Sequence, residues 1–166
     1  MSSTSTVQTT LAESSELLID SNLLLLLIVG SFESSLLGRW KRLNMFTLED
    51  FDCIRKLVAT CRTLLVTPHV LTEVSNLANS LPHWQKAEWS DYFRRWILEG
   101  LQERQIRAID VVQHDAFSYF GITDAALFHL SDNIYVVTLD AKLAAYPESH
   151  HHRVINFNHF RTWLLP

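Results

Sequence analysis

Four carboxylates of this sequence lie in apolar segments, where acidic side chains are uncommon. Asp20 directly follows the aliphatic run 17–19, and Asp140 follows the run 134–139. Glu73 falls on the edge of the apolar stripe of a predicted helix, and Asp124 opens another helix beside two alanines. We therefore treat Asp20, Glu73, Asp124 and Asp140 as one candidate set.

Carboxylates gathered in one place indicate a cation site. They repel one another and resist ionisation unless a cation balances their charge. Hard divalent ions such as Mg²⁺ or Mn²⁺ prefer oxygen ligands, and Mg²⁺ keeps several water molecules beside them. Such a site suits displacement at phosphorus, in which water is activated and the leaving oxygen is stabilised. Taken singly, each acid also has an ordinary explanation as a turn residue, a helix-dipole partner or a half-exposed surface group.

Short apolar runs alternate with helical segments along the chain. We predict strands over 17–19, 63–67, 134–138 and 154–155, and a further strand over 106–112. This alternation is typical of an α/β fold with a parallel β-sheet flanked by helices on both faces, in three layers. Ligands bind at the carboxyl ends of the strands in such sheets, so Asp20 and Asp140 are expected at the rim of a site.

The predicted helices cover 22–29, 34–42, 47–62, 68–80, 84–104 and 123–131, with a last helix at the carboxyl terminus. Thr47 and Asp50 have the spacing of a capping box, and Thr67 with Pro68 has the pattern of an N-cap followed by a first-turn proline. The aliphatic run 23–29 has seven residues. A membrane span needs roughly 20, so we predict a core helix.

The composition narrows the functional classes. The chain of 166 residues has 14 Lys and Arg and 18 Asp and Glu, for a net charge of −4. This mild acidity argues against a nucleic-acid binder held by charge alone. The four glycines are too far apart for a G-x-G-x-x-G or G-x-x-x-x-G-K loop, which excludes the common nucleotide-binding classes.

The chain is predicted to form one domain over 16–166, preceded by a disordered Ser/Thr-rich tail over 1–15. Cys53 and Cys61 lack a metal-binding spacing and are expected to be buried free thiols within one helix. Free thiols fit a reducing cytoplasm.

Histidines and basic residues offer further candidates. His69 and His129 lie on predicted helices and are candidates for lining the cleft, with a packed or surface position as the ordinary alternative. The basic clusters 39–42 and 94–95 are candidates for phosphate contacts. A solvated helix face is the ordinary alternative for both clusters.

Four segments together resemble the PIN-domain family, the fold of the VapC-type toxin ribonucleases of bacterial toxin–antitoxin pairs. They occur in family order over 17–22 (Leu-Leu-Ile-Asp-Ser-Asn), 67–76 (Thr-Pro-His-Val-Leu-Thr-Glu-Val-Ser-Asn), 121–125 (Gly-Ile-Thr-Asp-Ala) and 136–140 (Val-Val-Thr-Leu-Asp). The resemblance extends from about residue 16 to the end of the chain.

The resemblance implies a function and a role for each matching residue. Asp20, Glu73, Asp124 and Asp140 would be the acidic metal-binding and catalytic quartet. Thr138 would orient the loop or contact a metal-bound water, and Asn22 would be a hydrogen-bonding residue beside Asp20. The activity implied is a Mg²⁺- or Mn²⁺-dependent endoribonuclease, either a toxin or a stand-alone protein. Its expected partners are RNA, a cognate antitoxin and a second copy in a homodimer. The alternative is a PIN-like binding module without nuclease activity. On the enzyme hypothesis, Asp20→Asn abolishes cleavage and leaves folding nearly intact.

Overall fold

The computed structural model describes residues 16–82, 86–131, 134–146 and 153–164. Five parallel strands form one sheet: β1 (Glu16–Ile19), β2 (Thr63–Val66), β3 (Gln102–Glu103), β4 (Tyr135–Thr138) and β5 (Val154–Asn156). The predicted tail over 1–15 lies outside the described residues.

Eight α-helices connect and cover the strands of the described residues. They are α1 (Ser21–Phe32), α2 (Leu48–Ala59), α3 (Pro68–Ala78), α4 (Lys86–Arg95), α5 (Ala108–Val111), α6 (Phe117–Leu130), α7 (Ala141–Ala145) and α8 (Phe157–Leu164). A 3₁₀ turn at Ser34–Leu36 and a π turn at Trp96–Gly100 follow α1 and α4. The architecture is the predicted three-layer α/β/α fold.

The sheet has the order β3-β2-β1-β4-β5, and every neighbouring pair is parallel. β1, β2 and β4 each contain three consecutive buried residues. Because successive side chains of a strand point to opposite faces, consecutive burial means that both faces of the sheet are covered. The sequence-based prediction of a parallel sheet between helical layers is therefore confirmed.

Helix α1 passes through the middle of the core. Residues 23–29 are each at most 2% exposed, as expected for a helix that is apolar on every side. Trp40, Phe46 and Ile54 belong to the same buried cluster as these residues. The prediction of a core helix over the leucine-rich run is confirmed, and no described helix has the length and apolar character needed to cross a membrane.

Two helix N-terminal caps predicted from the sequence are confirmed. Thr47 Oγ1 accepts from the Asp50 N–H while Asp50 Oδ2 accepts from the Thr47 N–H, which completes the capping box of α2. Thr67 caps α3 by accepting from the Val70 N–H, and Pro68 is its first residue.

Between α3 and α6 the predicted elements are partly wrong. The helix expected over 84–104 is interrupted: α4 is followed by the π turn, and β3 pairs with β2 where helix was predicted. The strand expected over 106–112 is instead helix α5, whose first turn carries the bidentate bonds from Arg107 to Asp110.

Two other predicted helices have different bounds. Most of 34–42 is turn, because only the 3₁₀ segment is helical there, and α6 begins at Phe117, before the predicted residue 123. Helix α2 ends at Ala59, so Cys61 lies beyond it and is half-buried, while Cys53 is buried. Both thiols are free, as predicted.

Candidate functional site

The order of the strands reverses between β1 and β4. From β1 the chain runs outward through β2 to β3, and it then returns to place β4 on the other side of β1. Such a reversal opens a crevice at the carboxyl ends of the two strands, the usual place for ligands in parallel sheets. Asp20 and Asp140 lie on the chain immediately beyond these two ends, and the Asp20 N–H donates to the Val137 carbonyl over 3.0 Å.

Asp20 is buried and held by hydrogen bonds to both of its carboxylate oxygens. Oδ1 accepts from the Leu23 N–H over 2.8 Å and thereby caps helix α1. Oδ2 accepts from the Thr138 hydroxyl over 2.8 Å and from the Leu139 N–H over 2.7 Å. Burial raises the pKa of Asp20, and these hydrogen bonds oppose the rise because they favour the charged form.

Thr138 connects the two strand ends. Its hydroxyl donates to Asp20 and accepts from the Asp140 N–H over 2.9 Å. Asp140 caps α7, because its Oδ1 accepts from the backbone N–H groups of Lys142 and Leu143. One buried threonine thus fixes the loop that carries Asp140 relative to the carboxylate of Asp20, which is the loop-orienting position expected for it.

Glu73 reaches the same edge of the sheet from the second turn of α3. Its Oε2 accepts from the Ser21 hydroxyl over 2.8 Å, and Ser21 is the first residue of α1, next to Asp20. The side chain of Glu73 is half-buried, in agreement with its predicted place on the edge of the apolar stripe.

Asp124 approaches from the third side, on helix α6. Gly121 has a φ of 78° and interrupts the helix, so a new helical segment begins just before Asp124. Ala125 and Ala126 are fully buried, which allows the close approach that their small size predicted. Burial and, after it, the charges of Asp20, Glu73 and Asp140 raise the pKa of Asp124 to about 7. The four acids therefore lie near enough to interact electrostatically.

Asn22 differs from the other candidates. Its side chain is exposed, and its contribution to Asp20 is a backbone hydrogen bond. The side chain that links the first strand end to the rest of the cluster is Ser21, which sequence reasoning missed. Its signal was its position directly after the strand-end aspartate, on the first turn of the buried helix. The Leu139 N–H was also missed, because every residue except proline has a backbone N–H and the residue type does not reveal which of them donates to a site.

The donor chemistry of the cluster fits a hard divalent cation. All four groups supply carboxylate oxygens, and none of the ion pairs of the described residues involves them. The described part of the chain, however, has no three Asp, Glu, His or Cys side chains arranged to hold one ion directly. A divalent ion such as Mg²⁺ or Mn²⁺ would be held there by carboxylates of the cluster together with water molecules, as Mg²⁺ commonly binds.

Comparisons with protein-family models, with curated proteins and with solved structures gave no match for this chain.

Proposed function

We propose that the protein is a Mg²⁺- or Mn²⁺-dependent endoribonuclease of the PIN type. The observation that carries the proposal is the position of Asp124, whose pKa rises to about 7 beside Asp20, Glu73 and Asp140 at the switch point of the sheet. A protein keeps mutually repelling carboxylates together at a ligand-binding edge when a cation balances them in use. The order of the four acids along the chain is also that of the PIN resemblance.

The four acids, Thr138 and Ser21 have different roles in the proposed phosphodiester hydrolysis. Asp20 and Asp140 are the main ligands, and Glu73 and Asp124 complete the site or position the attacking water. A divalent ion bound there supplies positive charge that activates water and stabilises the oxygen leaving phosphorus. Thr138 and Ser21 act as positioning residues, because their hydroxyls orient Asp20 and Glu73 respectively.

The test is cleavage of RNA by the purified chain with Mg²⁺, with Mn²⁺ or with EDTA. Asp140→Asn is the informative variant, since asparagine caps a helix as well as aspartate does and α7 should be preserved. Asp91→Asn is the matched control, because Asp91 is an exposed aspartate that pairs with Arg94 on α4. We expect metal-dependent cleavage that falls about a hundredfold or more in Asp140→Asn and is unchanged in Asp91→Asn. Equal cleavage in Asp140→Asn, or full cleavage in EDTA, would contradict the proposal.

A second candidate is a PIN-like binding module without nuclease activity. It is favoured by the lack of a direct three-ligand group among the described residues. The same experiment separates the two candidates: metal binding without cleavage of any RNA supports the module, and cleavage lost with Asp140→Asn supports the enzyme.

The proposal includes partners and a compartment. A ribonuclease of this type is either a toxin held by a cognate antitoxin or a stand-alone enzyme, and the gene next to this one distinguishes these cases most cheaply. We also propose a homodimer, for which Leu98 and Tyr119, each 72% exposed, are apolar contact candidates. Light scattering during size-exclusion chromatography measures the oligomeric state. The free thiols favour the reducing cytoplasm as its location.

A further inference from the structure

A groove lies between helices α3 and α6, directly beside the acidic cluster. Its volume is about 390 Å³, within the range of roughly 300–1,000 Å³ found for small-molecule sites. Pro68 and Ile122 supply apolar surface, and the polar side chains of His69, Thr72, Asn76 and Thr123 complete most of the lining.

The groove is continuous with the candidate active site. Glu73 lines the groove and also accepts the hydrogen bond from Ser21 next to Asp20. Thr123, on the opposite helix, immediately precedes Asp124. A ligand bound in the groove therefore lies next to a chemical group bound at the four acids.

The polar groups of the groove have unused hydrogen-bonding capacity. His69 Nδ1 is buried and has no hydrogen-bond partner. The Asn76 amide bonds no other side chain or backbone group of the described residues. Thr72 donates its hydroxyl proton to the Pro68 carbonyl over 2.8 Å, which leaves the oxygen free to accept. The buried His69 Nδ1 therefore carries a free-energy cost that a bound ligand can remove, whereas Thr72 and Asn76 are exposed and open to a ligand.

The charge of the lining selects the kind of ligand. Among the described residues, no Lys or Arg lines the groove, and Glu73 lies on its wall, so a phosphate there would be repelled. Apolar surface combined with the polar groups of Thr72, Asn76 and His69 suits a flat, uncharged ring with polar edges. A nucleobase has this character: its faces stack on apolar or aromatic surface, and its edge is read by an amide.

We propose that the groove binds the nucleobase of the nucleotide adjacent to the phosphate that is cut, and so sets which RNA sequences the protein recognises. Asn76 hydrogen-bonds the edge of the base, and the His69 ring contacts the base. This inference rests on the proposed ribonuclease function for the identity of the ligand as RNA. It differs from that proposal in being a statement about recognition, which the four acids alone do not provide.

The experiment measures the binding of labelled oligoadenylate, oligocytidylate and oligouridylate to the full chain by fluorescence anisotropy. Ca²⁺ replaces Mg²⁺, and gels verify that the RNA remains intact. The variants are Asn76→Ala and His69→Ala. The matched control is Asn79→Ala, which changes the same residue type at an exposed position about one turn later, at the C-cap of α3 and outside this groove.

We expect the protein to prefer one of the three RNAs. His69→Ala should weaken that complex by about fivefold or more, the lower end of the effect of losing one base contact. Asn76→Ala should reduce the preference between bases, and Asn79→Ala should match the parent. Because Asn76 is exposed, its truncation should leave the thermal unfolding midpoint unchanged, so this variant tests the groove without testing the fold.

The outcomes separate this inference from the nuclease proposal. Groove-dependent binding by a chain that cuts no RNA in Mg²⁺ or Mn²⁺ supports the groove and rejects the nuclease. RNA cleavage with the same product pattern in the parent, Asn76→Ala and His69→Ala overturns the groove and leaves the nuclease standing. Parent-like affinities in both variants, or no binding of any of the three RNAs, also overturn the inference.

Discussion

Asp20 and Asp124 are both partly or wholly withdrawn from water, but the protein compensates their charges differently. Hydrogen-bond donors surround both carboxylate oxygens of Asp20 and favour its ionised form. Asp124 instead faces the charges of Asp20, Glu73 and Asp140, which add to the effect of burial and raise its pKa to about 7. Burial raises the pKa of Asp20 as well, but asparagine there leaves a buried backbone donor unpaired. The same substitution, aspartate to asparagine, should therefore change the free energy of unfolding in opposite directions at the two positions.

Asp20→Asn should destabilise the protein, in contrast to the expectation from sequence that folding would remain nearly intact. Asparagine has one acceptor oxygen, so its NH₂ group would face either the Leu23 N–H or the Leu139 N–H. We expect a loss of about 1–3 kcal/mol, the cost of leaving a buried donor unpaired. Urea unfolding measures this loss, with Asp140→Asn as the control that keeps its helix cap. A parent-like midpoint for Asp20→Asn would show that the buried bonds contribute little.

Asp124→Asn should stabilise the metal-free protein at alkaline pH. The pKa of Asp124 is about 7 in the folded chain and 3.8 as its ordinary value, so folding becomes less favourable as pH rises from about 4 to about 7. Above pH 7 the ionised carboxylate is a constant cost, which asparagine removes. After screening by solvent we expect a gain of about 1–2 kcal/mol at pH 8, or roughly 3–6 °C in the unfolding midpoint.

At pH 4 the same variant should show little gain, because Asp124 is largely protonated in the folded protein. The measurement is thermal unfolding in EDTA at both pH values. Asp110→Asn is the control, since Arg107 holds the pKa of Asp110 below its ordinary value and neutralisation there removes a favourable charge. An equal gain at pH 4 and pH 8 would exclude charge repulsion as the cause.

At the scale of secondary structure, the elements that carry the acids were predictable and the region between α3 and α6 was not. β1, β2 and β4 are short aliphatic runs that are followed by polar residues. Thr67-Pro68, after β2, marks the start of α3. Asp20, Glu73 and Asp140 lie on or next to these elements, so residue type and order were sufficient to nominate them. Asp124 lies on α6, which was predicted as a helix but with a later start.

The failed predictions concern elements whose state depends on distant contacts. β3 has two exposed residues and is a strand only because its backbone pairs with Leu65 and Val66 of β2. Local apolar periodicity cannot reveal such a pairing. The same holds for Asp50 and Arg161, 111 positions apart, whose partly buried ion pair joins α2 to α8.

Gly121 positions Asp124 through the backbone. Its φ of 78° and ψ of −177° lie in a region that is open essentially to glycine alone, and nothing lies within 4 Å of a Cβ built there. Gly121→Ala should therefore cost at least about 1 kcal/mol through backbone strain. Relief of that strain would shift the helical segment that carries Asp124, so we expect loss of RNA cleavage as well.

Gly38→Ala is the matched control for this element. Gly38 has a φ of 71° with only an ordinary contact near its Cβ position, and it lies beyond the far end of α1 from the acids. Both variants should lower the unfolding midpoint, and only Gly121→Ala should reduce cleavage by more than the loss of folded protein explains. Similar activity losses in the two variants would show that the kink has no specific role.

At the scale of the whole molecule, the net negative charge can be assigned to one place, the cluster of four acids, if the proposed function is correct. Four of the 18 acidic residues form the cluster, and 18 − 4 leaves 14 acids against 14 Lys and Arg. The remainder of the chain is balanced, so the overall charge of −4 equals the formal charge of the cluster. Mild acidity then argues only against binding of RNA by charge alone, because a divalent ion would offset much of the negative charge where the phosphate approaches.

This balance predicts that divalent ions stabilise the whole fold through one site. An ion that binds only the folded chain raises its stability by about 2.7 kcal/mol when present at a hundred times its dissociation constant, or roughly 5–10 °C for a chain of this size. At pH 8 we expect Mn²⁺ or Mg²⁺ to raise the unfolding midpoint of the parent and of Asp91→Asn, and to have a much smaller effect on Asp140→Asn. Sodium chloride at matched ionic strength separates site binding from general screening.

At pH 5 the shift in the unfolding midpoint caused by the ion should shrink, because protonation of Asp124 removes a charge that attracts the ion. If the ion raised the unfolding midpoint of Asp140→Asn as much as that of the parent, the ion would bind elsewhere on the protein. If millimolar ion raised no midpoint at all, the four acids would lack the cation on which the proposed hydrolysis depends.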